Sequence, residues 1–186
     1  VVVPLAEIVV RRFDVGIPGA LPLVQHLTLW VGFLGAAIAA REDKLLSLAT
    51  GEFIPEGRWR NYAKVFTQAV GALVSIMLAF ASAELVLIEK EGGIDIAAGV
   101  PVWFGQVVMP IAFTVLALRL VWMASDSYLG KACAAVGLGL GVFFGMKPLL
   151  LEGAMLSPGV LVLLLATILG APIYVALGGF ALFLFL

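Results

Sequence analysis

A chain of 186 residues that is 63% hydrophobic, with a mean hydropathy of +1.16, carries more apolar surface than a soluble fold of this size can hide from water. Eleven Lys and Arg against twelve Asp and Glu give a net charge of −1, which leaves no basic excess to attract nucleic acid. The composition specifies an integral membrane protein of helices, since a bilayer core of about 30 Å is crossed by about 20 apolar residues.

The chain opens in mid-run. Val1 to Val10 is too short to span, has no charged leader, and reads as the tail of a truncated helix closed by Arg11 and Arg12. "LPLVQHLTLWVGFLGAAIAA", Leu21 to Ala40, is a full span that ends at the polar "REDK". After Lys44, leucines mix with Arg58, Trp59, Arg60, Tyr62 and Lys64, a composition suited to headgroup depth. An interfacial amphipathic helix over Ala40 to Trp59 is expected on the cytoplasmic surface.

A third segment runs from about Val65 to Ile88 and stops at the acidic, glycine-bearing "EKEGGIDIAAG". The fourth, Val100 to Met123, has Trp103 near its start and Arg119 and Trp122 near its end. The fifth is placed at Ala132 to Leu151, and the sixth begins after Ser157-Pro158 and carries Gly170 and Pro172 in the middle of an oily run. Thirty residues from Ser157 to Leu186 would make a helix of about 45 Å, longer than the bilayer core, so a kink or an end is expected at Pro172, which lacks an amide hydrogen. The fold class is therefore all-α: a polytopic bundle of about five to six membrane segments plus the interfacial helix.

Cation placement sets the orientation. With the truncated first helix leaving the cytoplasm, Arg41, Lys44, Arg58, Arg60, Lys64, Arg119 and Lys131 fall inside, against Arg11, Arg12, Lys90 and Lys147 outside. Arg41, Lys44, Arg58, Trp59, Arg60, Trp103 and Trp122 are the expected interface anchors. Two rows of small residues spaced by four, Gly71-Ser75-Ala79-Ala83 and Gly137-Gly141-Gly145 with Cys133 extending the second, are expected to be faces where other helices approach closely.

Chemistry is sparse. "GLGLG" at 137–141 lacks the third glycine and the preceding strand of a dinucleotide loop. His26 is the only histidine and Cys133 the only cysteine, so neither a bis-histidine haem nor a cysteine cluster forms within the chain, and Gln25-His26 reads as a polar contact to a neighbouring helix. Lys147, followed at once by Pro148, marks an interface or a helix end. No catalytic, substrate-binding or metal residue is assigned, and the segments fit a scaffold better than an enzyme.

The terminal "VLLLATILGAPIYVALGGFALFLF" resembles the opening of the large membrane subunit (DctM-like) of tripartite ATP-independent periplasmic (TRAP) transporters: an aliphatic run, Gly-x-Pro-Ile, then a small-residue helix. "LPLVQHLTLWVGFLGAAIAAREDKLLSLAT" is similar to the small permease subunit (DctQ-like), and "PVWFGQVVMPIAFTVLALRL" to that family's last helix. The chain departs from the family where Gln25-His26 stand in place of acidic residues, and where Lys44-Leu45 stand in place of a histidine.

The resemblance implies three parts: 1–127, a four-helix small-subunit region with its first helix truncated; 128–156, a connecting transmembrane helix; and 157–186, the truncated first region of the large subunit. It further implies a non-enzymatic component of the bacterial inner (cytoplasmic) membrane. By the same resemblance, sodium is expected to drive the complete transporter, a periplasmic binding protein to deliver organic acids, and the partners to be the rest of the large permease subunit and membrane lipids, with no cofactor expected in this chain. The competing class is a membrane anchor subunit of a redox enzyme complex, against which the lone histidine argues.

Overall fold

The computed structural model describes residues 20–42, 58–97, 99–125, 127–147 and 156–185. In chain order these form α1 (Ala20–Arg41), α2 (Arg58–Gly92), a two-stranded antiparallel hairpin of β1 (Asp95–Ala97) and β2 (Val100–Pro101), α3 (Val102–Gln106), α4 (Val108–Met123), α5 (Tyr128–Met146), α6 (Leu156–Ile168) and α7 (Ile173–Phe185). Among the described residues, four helices are long and apolar enough to cross a membrane: Pro22–Arg41, Trp59–Gly92, Val102–Met123 and Tyr128–Met146. The all-α polytopic bundle is thus the observed architecture.

The longest element is α2, with 35 residues and a length of about 50 Å. It begins seven residues before the third apolar segment, so Trp59, Arg60, Tyr62 and Lys64 occupy its first turns rather than a separate surface helix. From Arg58 to Val65 no Gly or Pro stops a helix that the apolar stretch has already nucleated, and each added residue gains a hydrogen bond. Ala40 and Arg41 close α1. The remainder of the expected interfacial helix, Lys44 included, lies outside the described residues, as does the first apolar segment.

The fourth apolar segment is locally interrupted: Pro110 has no amide hydrogen to give the carbonyl of Gln106, four residues back, but Val107 keeps helical angles (φ −54°, ψ −25°) and its amide bonds to Trp103, so α3 and α4 continue as one span. Pro110 sits in the first turn of α4, a position that tolerates proline.

Contacts fix the directions of the helices. His26 and Trp30 meet Gly105, Phe33 meets Phe113 edge-on at 5.1 Å, and Arg119 reaches the carbonyl of Arg41, so α1 and α4 run parallel. Leu120 packs on Gly71 while Trp103 lies under Lys90, so α2 runs against α4. Gly130, Gly137, Gly141 and Gly145 of α5 meet Val65, Ala69, Leu73 with Ile76, and Phe80 in that order, so α5 runs with α2. The buried core gathers on α2: Val70 and Val74 pack with Leu163, Ala166, Ala171 and Val175 on one side, and Leu116, Ala117 and Leu120 of α4 are buried with them.

Candidate functional site

Three seams and two bands of side chains carry what this bundle can do. The first seam joins α5 to α2. A Cβ at Gly137 would collide with the backbone carbonyl of Ala69, one at Gly141 with the side chain of Ile76 and the carbonyl of Leu73, and one at Gly145 with the Phe80 ring. With no hydrophobic drive separating helix from lipid, dispersion contacts at this close range hold the two helices together. Cys133, one turn before this row, is exposed.

The row Gly71-Ser75-Ala79-Ala83 does not meet the α5 glycines. Gly71 faces Leu120 of α4 and Val175 of α7, Ser75 is fully buried and Ala79 is buried, while Ala83 is half-buried. Small residues on α2 therefore receive α4 and α7, and α5 approaches a different face of α2, over Ala69, Leu73 and Ile76.

The second seam belongs to α6 and α7, 13 residues each and about 20 Å long, short of the bilayer core. Helix α6 ends as a Schellman turn: Ala171 donates to the carbonyl of Ala166 at 2.9 Å and Gly170 to that of Thr167 at 3.1 Å. Gly170 holds a φ of +95°, a conformation that a side chain disfavours, and the buried Pro172 follows where the helix cannot continue. The chain reverses rather than kinking. Phe183 fits over Gly159, and Leu163 over Gly179, which makes α6 and α7 an antiparallel helical hairpin.

That hairpin is seated on α2 by α7. Val175 lies on Gly71, Leu78 fills the notch of Gly178, and the Tyr174 hydroxyl meets Ser75 Oγ at 3.0 Å. Gly178 was the available sequence signal for this seat, and Gly179 for the packing of α7 on α6. Tyr174 gave none, because one tyrosine in an apolar run carries no period.

The third seam lies between α1 and α3. The indole Nε1 of Trp30 donates to the carbonyl of Gly105 at 2.8 Å, and His26, whose Nδ1 donates to the carbonyl of Pro22 at 2.8 Å, lays its ring on the Gly105 backbone. Pro110 leaves the carbonyl of Gln106 without its helical donor, and Trp30 adds a hydrogen bond at the neighbouring carbonyl of Gly105.

Aromatic and basic residues mark the two ends. At one lie Arg41, Trp59, Arg60, Lys64, Arg119, Trp122 and Lys131, with the chain start of α2 at Arg58; the Lys131 ammonium sits 4.9 Å from the centre of the Trp122 ring. At the other lie Lys90, 5.6 Å from the centre of the half-buried Trp103 ring, Lys147, and the acids Glu84, Glu89, Glu91 and Asp95. Rings and cations stacked at these two levels match the headgroup zones of a bilayer. Arg119 also caps α1, its Nη2 donating to the carbonyl of Arg41 at 2.8 Å.

Among the described residues, no three His, Cys, Asp or Glu side chains come together as a metal-binding group. Two cavities open on α2. One of about 210 Å³ lies between α2, Phe144 and the hairpin, and is walled by apolar side chains. The other, about 590 Å³, lies between the first turns of α2 and α5.

Residues 1–130 match the family model described as "Tripartite ATP-independent periplasmic transporters, DctQ component". No curated protein sequence and no solved structure gives a match.

Proposed function

Since the chain belongs to the DctQ component family of the tripartite ATP-independent periplasmic transporters, we propose that it is the scaffold of a sodium-coupled importer of organic acids delivered by a periplasmic binding protein. The four membrane-length helices among the described residues make it a multi-pass membrane component of such a transporter, and the family is one of transporter parts rather than enzymes. A redox-anchor role is not favoured by this membership.

The observation that carries the finer reading is the hairpin seated on α2. The family match ends at residue 130, yet α6 and α7 bury Leu163, Ala166 and Val175 against Val70 and Val74, within the matched part. We read residues 157–186 as the opening of a DctM-like large subunit, carried on the same polypeptide through α5 and held fast to the small-subunit bundle. Such an arrangement gives a moving transport unit a stationary wall. The cation-rich end, with Arg41, Arg60, Lys64, Arg119 and Lys131, faces the cytoplasm of a bacterial inner membrane by the positive-inside rule.

The test is uptake by the complete transporter in proteoliposomes, with radiolabelled sialic acid or a dicarboxylate, an imposed sodium gradient and its soluble binding protein. Accumulation that needs both the gradient and the binding protein is the expected result. Uptake indifferent to sodium, or undiminished without the binding protein, overturns the proposal.

A further inference from the structure

We propose that α6 and α7 form a re-entrant hairpin, which enters the bilayer from the side of Lys147, turns inside the hydrocarbon at Gly170–Pro172 and leaves on the side it entered. Calling that side periplasmic rests on the orientation given above; the re-entry does not.

Length and direction come first. The two helices have 13 residues each, about 20 Å, whereas a crossing needs about 20 residues. Two separate crossings are thus too long for them. One crossing made of both in series is excluded by their antiparallel contacts, Phe183 over Gly159 and Leu163 over Gly179.

Neighbouring helices fix the depth. Phe144, in the last turn of α5, borders one cavity together with Pro158 and Phe183, so both ends of the hairpin lie level with the Lys147 end of α5. At the turn, Ala171 shares a buried cluster with Val70, and Val175, one turn later, packs on Gly71. Gly137 of α5 meets Ala69 at that level, which leaves the turn about 10 Å short of the Tyr128 end of α5.

The chemistry of the turn suits that depth. No Asp, Glu, Lys or Arg occurs from Leu156 to Phe185, so nothing holds the turn at a headgroup level. Its backbone is closed internally instead: Leu169, Gly170 and Ala171 donate to the carbonyls of Leu165, Thr167 and Ala166, Pro172 has no amide hydrogen, and Ala171 and Pro172 are buried. Irregular backbone is tolerated at membrane depth only where protein satisfies it in this way. If these residues open a large subunit, the rest of that subunit begins on the periplasmic side.

The test compares sides. Alkaline phosphatase, active only when exported, or green fluorescent protein, fluorescent only when left in the cytoplasm, is fused after Leu186. In a Cys133→Ala background, an impermeant maleimide is applied to Lys147→Cys and Ile168→Cys in right-side-out and inside-out vesicles. The reporter and position 147 are expected on the same, periplasmic side, with the exposed position 168, at the end of α6, unlabelled from either. Both on the cytoplasmic side would overturn the orientation and uphold the re-entry. Opposite sides overturn the re-entry, as does labelling of position 168 from either face.

Discussion

The Tyr174 hydroxyl lies 3.0 Å from Ser75 Oγ, joining positions 99 apart in the chain. Ser75 commits its own hydrogen to the carbonyl of Gly71 at 2.7 Å, so Tyr174 is the donor and the serine oxygen the acceptor. This polar contact sits among Gly71, Val175, Leu78 and Gly178, where shape alone already brings α7 close to α2. Packing sets the distance, and the hydrogen bond sets the rotation of α7 about its axis.

Tyr174→Phe is therefore expected to loosen the hairpin without unfolding the bundle, since Ser75 keeps its bond to Gly71. A double-mutant cycle with Ser75→Ala should give a coupling of about 0.6 kcal/mol, with about 1.7 kcal/mol as the upper bound for such bonds between membrane helices. Denaturant unfolding of the reconstituted chain measures it. Strict additivity of the two losses would show that the pair contributes nothing to stability.

Glycines on α5 divide into two kinds. Gly137 has the carbonyl of Ala69 where its side chain would be, whereas Gly139 has open space around it. Gly137→Leu should push α5 off α2 and cost about 1–3 kcal/mol, because the obstacle is backbone and cannot rotate away. Gly139→Leu should be neutral by the same unfolding assay. If both variants lose stability alike, α5 does not lie on α2 through this face.

The spans were legible because lipid imposes one rule on every residue of a crossing helix: α1 and α2 follow directly from runs of apolar residues bounded by charge. Their partners were not. The rows at Gly71 and Gly137 show which faces are thin but not which thin face meets which, and the structure sends Gly71 to α4 and α7 while Gly137 lands on Ala69. Likewise, Gly170-Ala171-Pro172 reads as an interruption, and hydropathy is silent on whether the chain continues onward or returns. That outcome depends on Leu163 finding Gly179 and Phe183 finding Gly159, contacts that follow from the turn rather than from any local pattern.

The turn itself separates the roles of Gly170 and Pro172. Pro172→Ala would straighten a merely kinked helix, but here the reversal is made by Gly170 at φ +95° and by the amides of Gly170 and Ala171. Pro172→Ala should keep the hairpin and lose only about 0.4–1 kcal/mol of stiffness. Gly170→Ala should cost about 1–2 kcal/mol for a side chain in the left-handed region. Spin labels at the exposed positions 161 and 181, in a Cys133→Ala background, read the geometry. A hairpin holds the two helix axes about 8–10 Å apart, whereas a continuous helix would place the labels about 30 Å apart. A long distance in the Pro172→Ala variant would return the turn to the proline.

At the third seam, Gly105 has no room for a methyl group because the His26 ring already fills the space, its Cγ 2.9 Å from where a Cβ would stand. The ring cannot swing aside freely, since its Nδ1 is bonded to the carbonyl of Pro22, and Trp30 one turn later holds the carbonyl of Gly105. Gly105→Ala is thus expected to cost about 1–3 kcal/mol as α1 is forced away from α3. Truncating the obstacle should reverse that loss: His26→Ala in the Gly105→Ala background regains most of the stability, although His26→Ala alone is destabilising through lost packing. This sign change distinguishes a steric fit from two independent contributions, which would simply add. Unfolding midpoints of the four proteins decide it, and a double variant weaker than either single one would mean that His26 and Gly105 do not hold α1 in place by fitting together.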